Sequence, residues 1–195
     1  MIAGLRRQGV NGTLVPLYRQ MPPFDEFPVD VSPPTDEPIP MIAVMPQAPR
    51  TQMRSFHLDA PRERVFPLFT ARGEREWAPG WDPVMLSGAE ERGSVFQTRN
   101  HQAHTTTWIV IDYRPSEGRV SYARLAHGSN IGLVDVICTE STQGGTDVSV
   151  AYTLTPLQQQ AEAFVDEFLD PRQYEHMIEE WQAATSAALV RAAAG

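Results

Sequence analysis

The chain contains no lysine and a single cysteine, Cys138; all 16 of its basic residues are arginines. Each shortage excludes chemistry. Without lysine there is no internal Schiff base, no lysine-bound pyridoxal phosphate and no lysine-tipped phosphate loop. One cysteine rules out an intramolecular disulfide framework and any multi-cysteine zinc or iron–sulfur site. Long apolar runs are missing as well. Stretches such as Trp108–Ile111 are far too short to cross a bilayer, and no apolar segment follows Arg6 and Arg7 as a secretory signal requires. With 24 acidic residues the net charge is -8, which argues against a general nucleic-acid binder. These shortages point to a cytoplasmic protein with no membrane insertion, no nucleic-acid partner and no cofactor. Its 195 residues suffice for one well-buried core.

Two compositional regimes divide the chain. Ten of the 17 prolines fall within residues 1–50, too often for an element of normal length. This segment reads as a proline-rich, disordered N-terminal extension, with residues 51–195 forming the folded domain. Leu14, Val15, Leu17, Tyr18, Phe24 and Phe27 leave open that the extension lies along the domain or meets a protein partner.

Past residue 50, alternation over Met53–Asp59 predicts a strand. Asp59 offers an N-cap and Pro61 a first helical turn, so two short helices are expected over Arg62–Phe69 and Ala71–Trp77. Strand signals then recur at hairpin spacing: Asp82–Ser87, Ser94–Asn100, Thr105–Arg114, Arg119–Leu125, Ile131–Glu140 and Thr146–Thr155. In the last of these, Val148, Val150, Tyr152 and Leu154 share one face and polar residues share the other, as in an antiparallel sheet with one wet side. Asp170 and Pro171 then open a long amphipathic helix carrying Tyr174, Met177, Ile178, Trp181, Thr185 and Ala188 on one stripe. The class is α+β: a curved antiparallel sheet of about seven strands wrapped around a long C-terminal helix, with two short helices after the first strand.

This order, with several local segments, resembles the START-like, or SRPBCC, helix-grip superfamily, and bacterial members of unknown function in particular. The likeness covers about residues 51–192. It rests on Leu58-Asp59-Ala60-Pro61-Arg62-Glu63-Arg64-Val65-Phe66, on Trp77-Ala78-Pro79-Gly80-Trp81-Asp82-Pro83, on Gly93-Ser94-Val95-Phe96, on Thr107-Trp108-Ile109-Val110 with Tyr113-Arg114-Pro115, and on Val148 to Thr155. The superfamily includes hydrophobic-ligand binders, lipid carriers, polyketide cyclases and ring-hydroxylating oxygenases. The oxygenase branch needs Rieske and facial-triad ligands that this chain lacks.

The resemblance implies a cavity between sheet and helix, apolar with a few orienting polar groups. Candidates to line it are Trp77, Trp81, Phe96, Trp108 and Tyr122, together with Arg124, Tyr152, Met177 and Trp181. Ordinary core packing competes for every aromatic among them. Arg124 is in phase with Val120 and Tyr122, which turns its guanidinium inward, where it wants a carboxylate, phosphate or enolate oxygen; Asp135 on the next strand is a candidate internal partner. His101 and His104 fall in a predicted loop without a glutamate between them, so no metal site is expected. Cys138 alternates with Val134 and Val136 as an apolar core residue. Three functions remain in play. The first is binding or carrying of a small hydrophobic or aromatic ligand. The second is a cyclase or dehydratase in which Arg124 stabilises an enolate and Tyr122, Tyr152 or His101 moves the proton. The third is a protein-interaction module. A cavity faced by Arg124 and a tyrosine favours the first two, and a filled core favours the third.

Overall fold

The computed structural model describes residues 6–8, 14–16, 47–99 and 105–194. The chain divides into two compact units, Met1–Val44 and Met45–Gly195. In the first, strands β1 (Arg6–Gln8) and β2 (Leu14–Pro16) pair antiparallel. The rest of the expected disordered extension up to residue 46 lies outside the described residues, as do His101 and His104.

The second unit opens with β3 (Arg50–Leu58), which feeds a short helix α1 (Arg62–Val65) and two 3-10 turns, Phe66–Phe69 and Gly73–Glu76. Six strands follow: β4 (Val84–Ser87), β5 (Val95–Arg99), β6 (Thr105–Arg114), β7 (Arg119–Ala126), β8 (Asn130–Glu140) and β9 (Thr146–Pro156). Helices α2 (Glu162–Phe168) and α3 (Pro171–Ala194) close the chain. The seven strands β3–β9 form one antiparallel sheet in the order β3-β9-β8-β7-β6-β5-β4, so every neighbour except β3–β9 is a hairpin partner.

One face of the sheet carries the core. Phe56 and Leu58, Val134, Val136 and Cys138, and Val148, Val150 and Leu154 are all buried on it, while their strand neighbours point to solvent. The apolar stripe of α3 covers this face: Tyr174, Ile178, Thr185 and Ala188 are buried. Polar bonds hold the register of the helix. Tyr174 donates to the Val150 carbonyl at 3.0 Å, Gln182 to His57 at 3.0 Å and Arg191 to Glu76 at 2.7 Å. Asp170 caps α3 by accepting from the backbone N–H groups of Arg172 and Gln173 at 3.0 and 3.2 Å.

The cap expected at Asp59 is not there. Pro61 occupies the N-cap position of α1, its carbonyl accepting from Arg64 and Val65, and no side chain caps the turn. A proline there sets the entry angle without a missed donor, since the first helical N–H groups have no intrahelical partner anyway. The Asp59 carboxylate instead lies 3.2 Å from His57.

Candidate functional site

The inner surface of the grip is lined by rings. Phe96 stacks on Trp108 at 5.8 Å with only 3° between planes, and Tyr122 meets both edge-on at 6.0 and 6.2 Å. Trp81 closes the group from the segment after the second 3-10 turn, 5.7 Å from Trp108. On the helix side, Trp181 meets Trp77 at 5.0 Å and Tyr152 at 6.5 Å. Edge-on and offset contacts at these distances suit the ring quadrupoles.

Most polar handles of these rings are satisfied inside the protein. Trp77 donates to the Leu68 carbonyl (2.6 Å), Trp81 to Ala71 (2.7 Å), Trp108 to Thr98 (2.9 Å) and Tyr122 to Phe69 (2.9 Å). Three of these bonds run to the backbone of the short helical segment, so the aromatics staple that segment to the sheet. The void left between sheet and α3 is about 10 Å³, room for about one water molecule. Six of the nine sequence candidates surround it: Trp81, Phe96, Trp108, Tyr122, Tyr152 and Trp181. Trp77 and Met177 sit elsewhere. Trp77 and Trp181 front a groove of about 690 Å³ between the Trp77–Pro79 segment and α3, and Met177 another of about 340 Å³ beside Phe164 and Phe168.

Glu74 also faces the small void, a residue the sequence reading did not single out. Gly73 holds it there: a Cβ at position 73 would overlap the Pro67 carbonyl oxygen, so only glycine lets the turn fold back this tightly. Desolvation among the rings pushes the Glu74 carboxyl up to about 8. Burial raises Tyr122 well above the usual phenol value. It raises Tyr152 too, partly offset by the positive charge of Arg124.

Arg124 is the ninth candidate and lies at the edge of this box. Its guanidinium carbon stands 5.3 Å from the centroid of the Trp108 ring, a cation–π contact. The Asp135 partnership does not form. Asp135 is opposite Ser121 in the β7–β8 ladder and accepts the Ser121 hydroxyl, on the face of the sheet away from Arg124. The ladder explains why: Arg124 is opposite Gly132, so its face of β8 carries even-numbered residues. No hydrogen bond joins Arg124 to another described residue, and its Nε is fully buried without a partner. Burial accordingly lowers its pKa.

Arg124 opens on a pocket of about 300 Å³ at one end of the sheet. The start of β6, the β7–β8 turn and the β9–α2 connection frame it. Two bonds tie the last two together: Leu157 N–H donates to Ser129 at 2.7 Å, and the Gln158 amide donates to the Gly128 carbonyl. Asn130 lines the same pocket, is completely buried, and leaves its Oδ1 without a partner. Ala126, Ala161 and Phe164 supply the apolar wall, and no carboxylate is among the described lining residues.

His127, in the β7–β8 turn, lines the pocket as well, whereas Cys138, His57 and His176 lie outside it. Burial pushes the Cys138 thiol up to about 12, which leaves it a packing residue. The His57 ring lies 2.8 Å from Asp147, whose hydrogen bond raises the histidine pKa. His176 pairs with Glu179 and Glu180 on the exposed side of α3. No described helix is long and apolar enough to cross a membrane.

A sheet gripping a C-terminal helix, with two short helical turns closing one flank, defines the helix-grip class. Residues 51–189 match the family described as polyketide cyclase / dehydrase and lipid transport, and the chain belongs to that family. Solved structures with the same fold include an uncharacterised protein from Rhizobium leguminosarum, 18% identical, with a TM-score of 0.55 over 75% of this chain and 97% of that one. Norcoclaurine synthase from Thalictrum flavum is 7% identical, with a TM-score of 0.54 over 74% of this chain and 88% of that one. A major latex-like protein from Panax ginseng is 10% identical, with a TM-score of 0.54 over 71% and 96%. At these identities the likeness is one of fold. No curated protein matches the chain.

Proposed function

We propose that the protein binds or carries a small hydrophobic or aromatic molecule, with an acidic group of the ligand held by Arg124 at the end of the grip. The observation that carries this is the half-buried Arg124 at the wall of a 300 Å³ pocket, its Nε buried without a partner and no described carboxylate beside it. A partly desolvated arginine without a carboxylate costs the fold stability, and such a cost is retained most readily where a ligand supplies the anion. The pocket volume is at the small end of the range for ligand sites, so the occupant is compact. Its apolar part packs on Ala126, Ala161 and Phe164. Phe164 stacks on Phe168 at 6.1 Å, and Phe168 meets Tyr152 at 5.4 Å, so the apolar wall continues towards the inner box.

The catalytic alternative, a cyclase- or dehydratase-like reaction, gains one specific support. The Glu74 carboxyl, at about 8, is mostly protonated at neutral pH and faces Tyr122 and Tyr152. It becomes the stronger reading only if a ligand displaces rings to reach that carboxyl, since the void beside it holds about one water.

Native mass spectrometry of protein purified from its host, combined with thermal-shift screening against aromatic and aliphatic acids, tests the binding reading. A co-purifying or stabilising acid of about the pocket's size is the expected outcome. Repeatedly empty protein that no acid stabilises would overturn it.

A further inference from the structure

The pocket at Arg124 contains a second unmet polar atom, and the two together narrow the ligand beyond the binding reading on which this inference rests. Across the β7–β8 ladder Arg124 is opposite Gly132, and Ala126 is opposite Asn130. Arg124 and Asn130 are therefore diagonal neighbours on one face of the sheet, a spacing of about 7–8 Å with the Cβ atoms somewhat closer. That gap accommodates one compact polar group between the two side chains. The requirements on its two sides differ. Arg124 offers a charged N–H donor, and no described carboxylate lines the pocket to neutralise it. Asn130 offers an acceptor: its Nδ2 donates to Ser129 Oγ at 2.8 Å, which leaves Oδ1 buried and without a donor.

An ordinary carboxylate meets the first requirement and fails the second, because its oxygens would face the Oδ1 lone pairs. A neutral alcohol meets the second and leaves the guanidinium uncompensated. Both are met by a ligand that carries an anion and a hydroxyl on adjacent carbons. We infer that the pocket recognises a small 2-hydroxy acid with an apolar arm, its carboxylate on Arg124 and its hydroxyl donating to Asn130 Oδ1. The surroundings favour a prebuilt site. The β7–β8 turn that presents Asn130 is tied to the β9–α2 connection by Leu157 and Gln158, and the Arg124 guanidinium lies against the Trp108 ring. The apolar arm then lies against Ala161 and Phe164.

Calorimetric titration of the full chain with three probes of similar size tests the assignment: mandelate, phenylacetate, which lacks the hydroxyl, and methyl mandelate, which lacks the charge. Mandelate is expected to bind at least about tenfold more tightly than either, because each analogue leaves one buried group unmet. The advantage over phenylacetate should vanish in Asn130→Ala, and the wild-type comparison stands by itself should that variant fail to fold. Phenylacetate binding as tightly as mandelate would overturn the hydroxyl assignment and leave the acid-binding reading intact. Methyl mandelate binding as tightly as mandelate would overturn the role of Arg124 in both. Absence of binding by all three, alongside a negative screen of other acids, would overturn the two readings together.

Discussion

The inner box and the end pocket are built from neighbouring residues of the same strands, yet they treat polarity in opposite ways. In the box, the donors of Trp81, Trp108 and Tyr122 find acceptors within the protein, and the space left is that of about one water. In the pocket, two fully buried polar atoms have no described partner, and the space is about 300 Å³. Trp108 links the two: it stacks on Phe96 in the box, and its ring centroid lies 5.3 Å from the guanidinium carbon of Arg124. The contrast teaches that aromatic content is a poor guide to a ligand site in this fold. Rings with satisfied donors around a filled void are structure, whereas unmet polar atoms beside open volume mark a place where something else can bind.

The sharpest way to break this comparison is to remove a ring. Phe96→Ala should lower the unfolding free energy by about 3–5 kcal/mol, as expected for a large side chain that is 1% exposed. Chemical denaturation measures it. A loss below about 1 kcal/mol would mean that the box is loosely packed and open to a ligand.

Glu74 gives the next largest effect, with a definite sign. Its folded-state pKa of about 8 lies above the ordinary 4.5, so the folded state prefers the protonated form. Stability from this group is full below about pH 4.5, falls as the pH rises towards 8, and levels off above it. Glu74→Gln should therefore stabilise the protein at pH 9 by roughly 2–4 kcal/mol, after allowance for the residue's partial exposure, and change little at pH 4. Equal effects at both pH values would show that the carboxyl is in contact with water.

The smallest effect separates the two tyrosines. Tyr122→Phe removes a buried hydrogen bond to the Phe69 carbonyl and should cost about 1–2 kcal/mol. Tyr152→Phe removes a hydroxyl that bonds to no described residue and should stay within about 0.5 kcal/mol. The reverse order would show that Tyr152 belongs to the satisfied box and that Tyr122 does not.

Much of this arrangement was legible in the residues. Period-two alternation located the strands, and β6 runs over Thr105–Arg114, the stretch its β-branched and aromatic residues mark out. The phase of Val120, Tyr122 and Arg124 turned the arginine inward, where it lies over Trp108. The same phase, applied to Val134, Val136 and Cys138, already excluded Asp135 as its partner, because odd-numbered residues of β8 face the other way. Two residues of the site left no such trace. Asn130 follows His127-Gly128-Ser129 and has the composition of a turn; the ladder with Pro156 draws it into β8 and buries it. Glu74 sits between Gly73 and Arg75 in a stretch that looks solvated, and only the tight fold of the 3-10 turn against Pro67 brings it to the rings. Nor could alternation tell a filled interior from an open one, since packing depends on ring orientations that periodicity does not encode.

The central claim is that Arg124 is held for a ligand and not for the fold. Its most direct test is to measure stability and acid binding together in the wild type and in Arg124→Met. The account predicts an unfolding free energy that is unchanged or higher in the variant, because a half-buried charge with no anionic partner gives way to an apolar stem of similar length, together with complete loss of binding to the acid that best stabilises the wild type. A variant destabilised by about 3–5 kcal/mol, or one that binds the acid as tightly as the wild type, would contradict it.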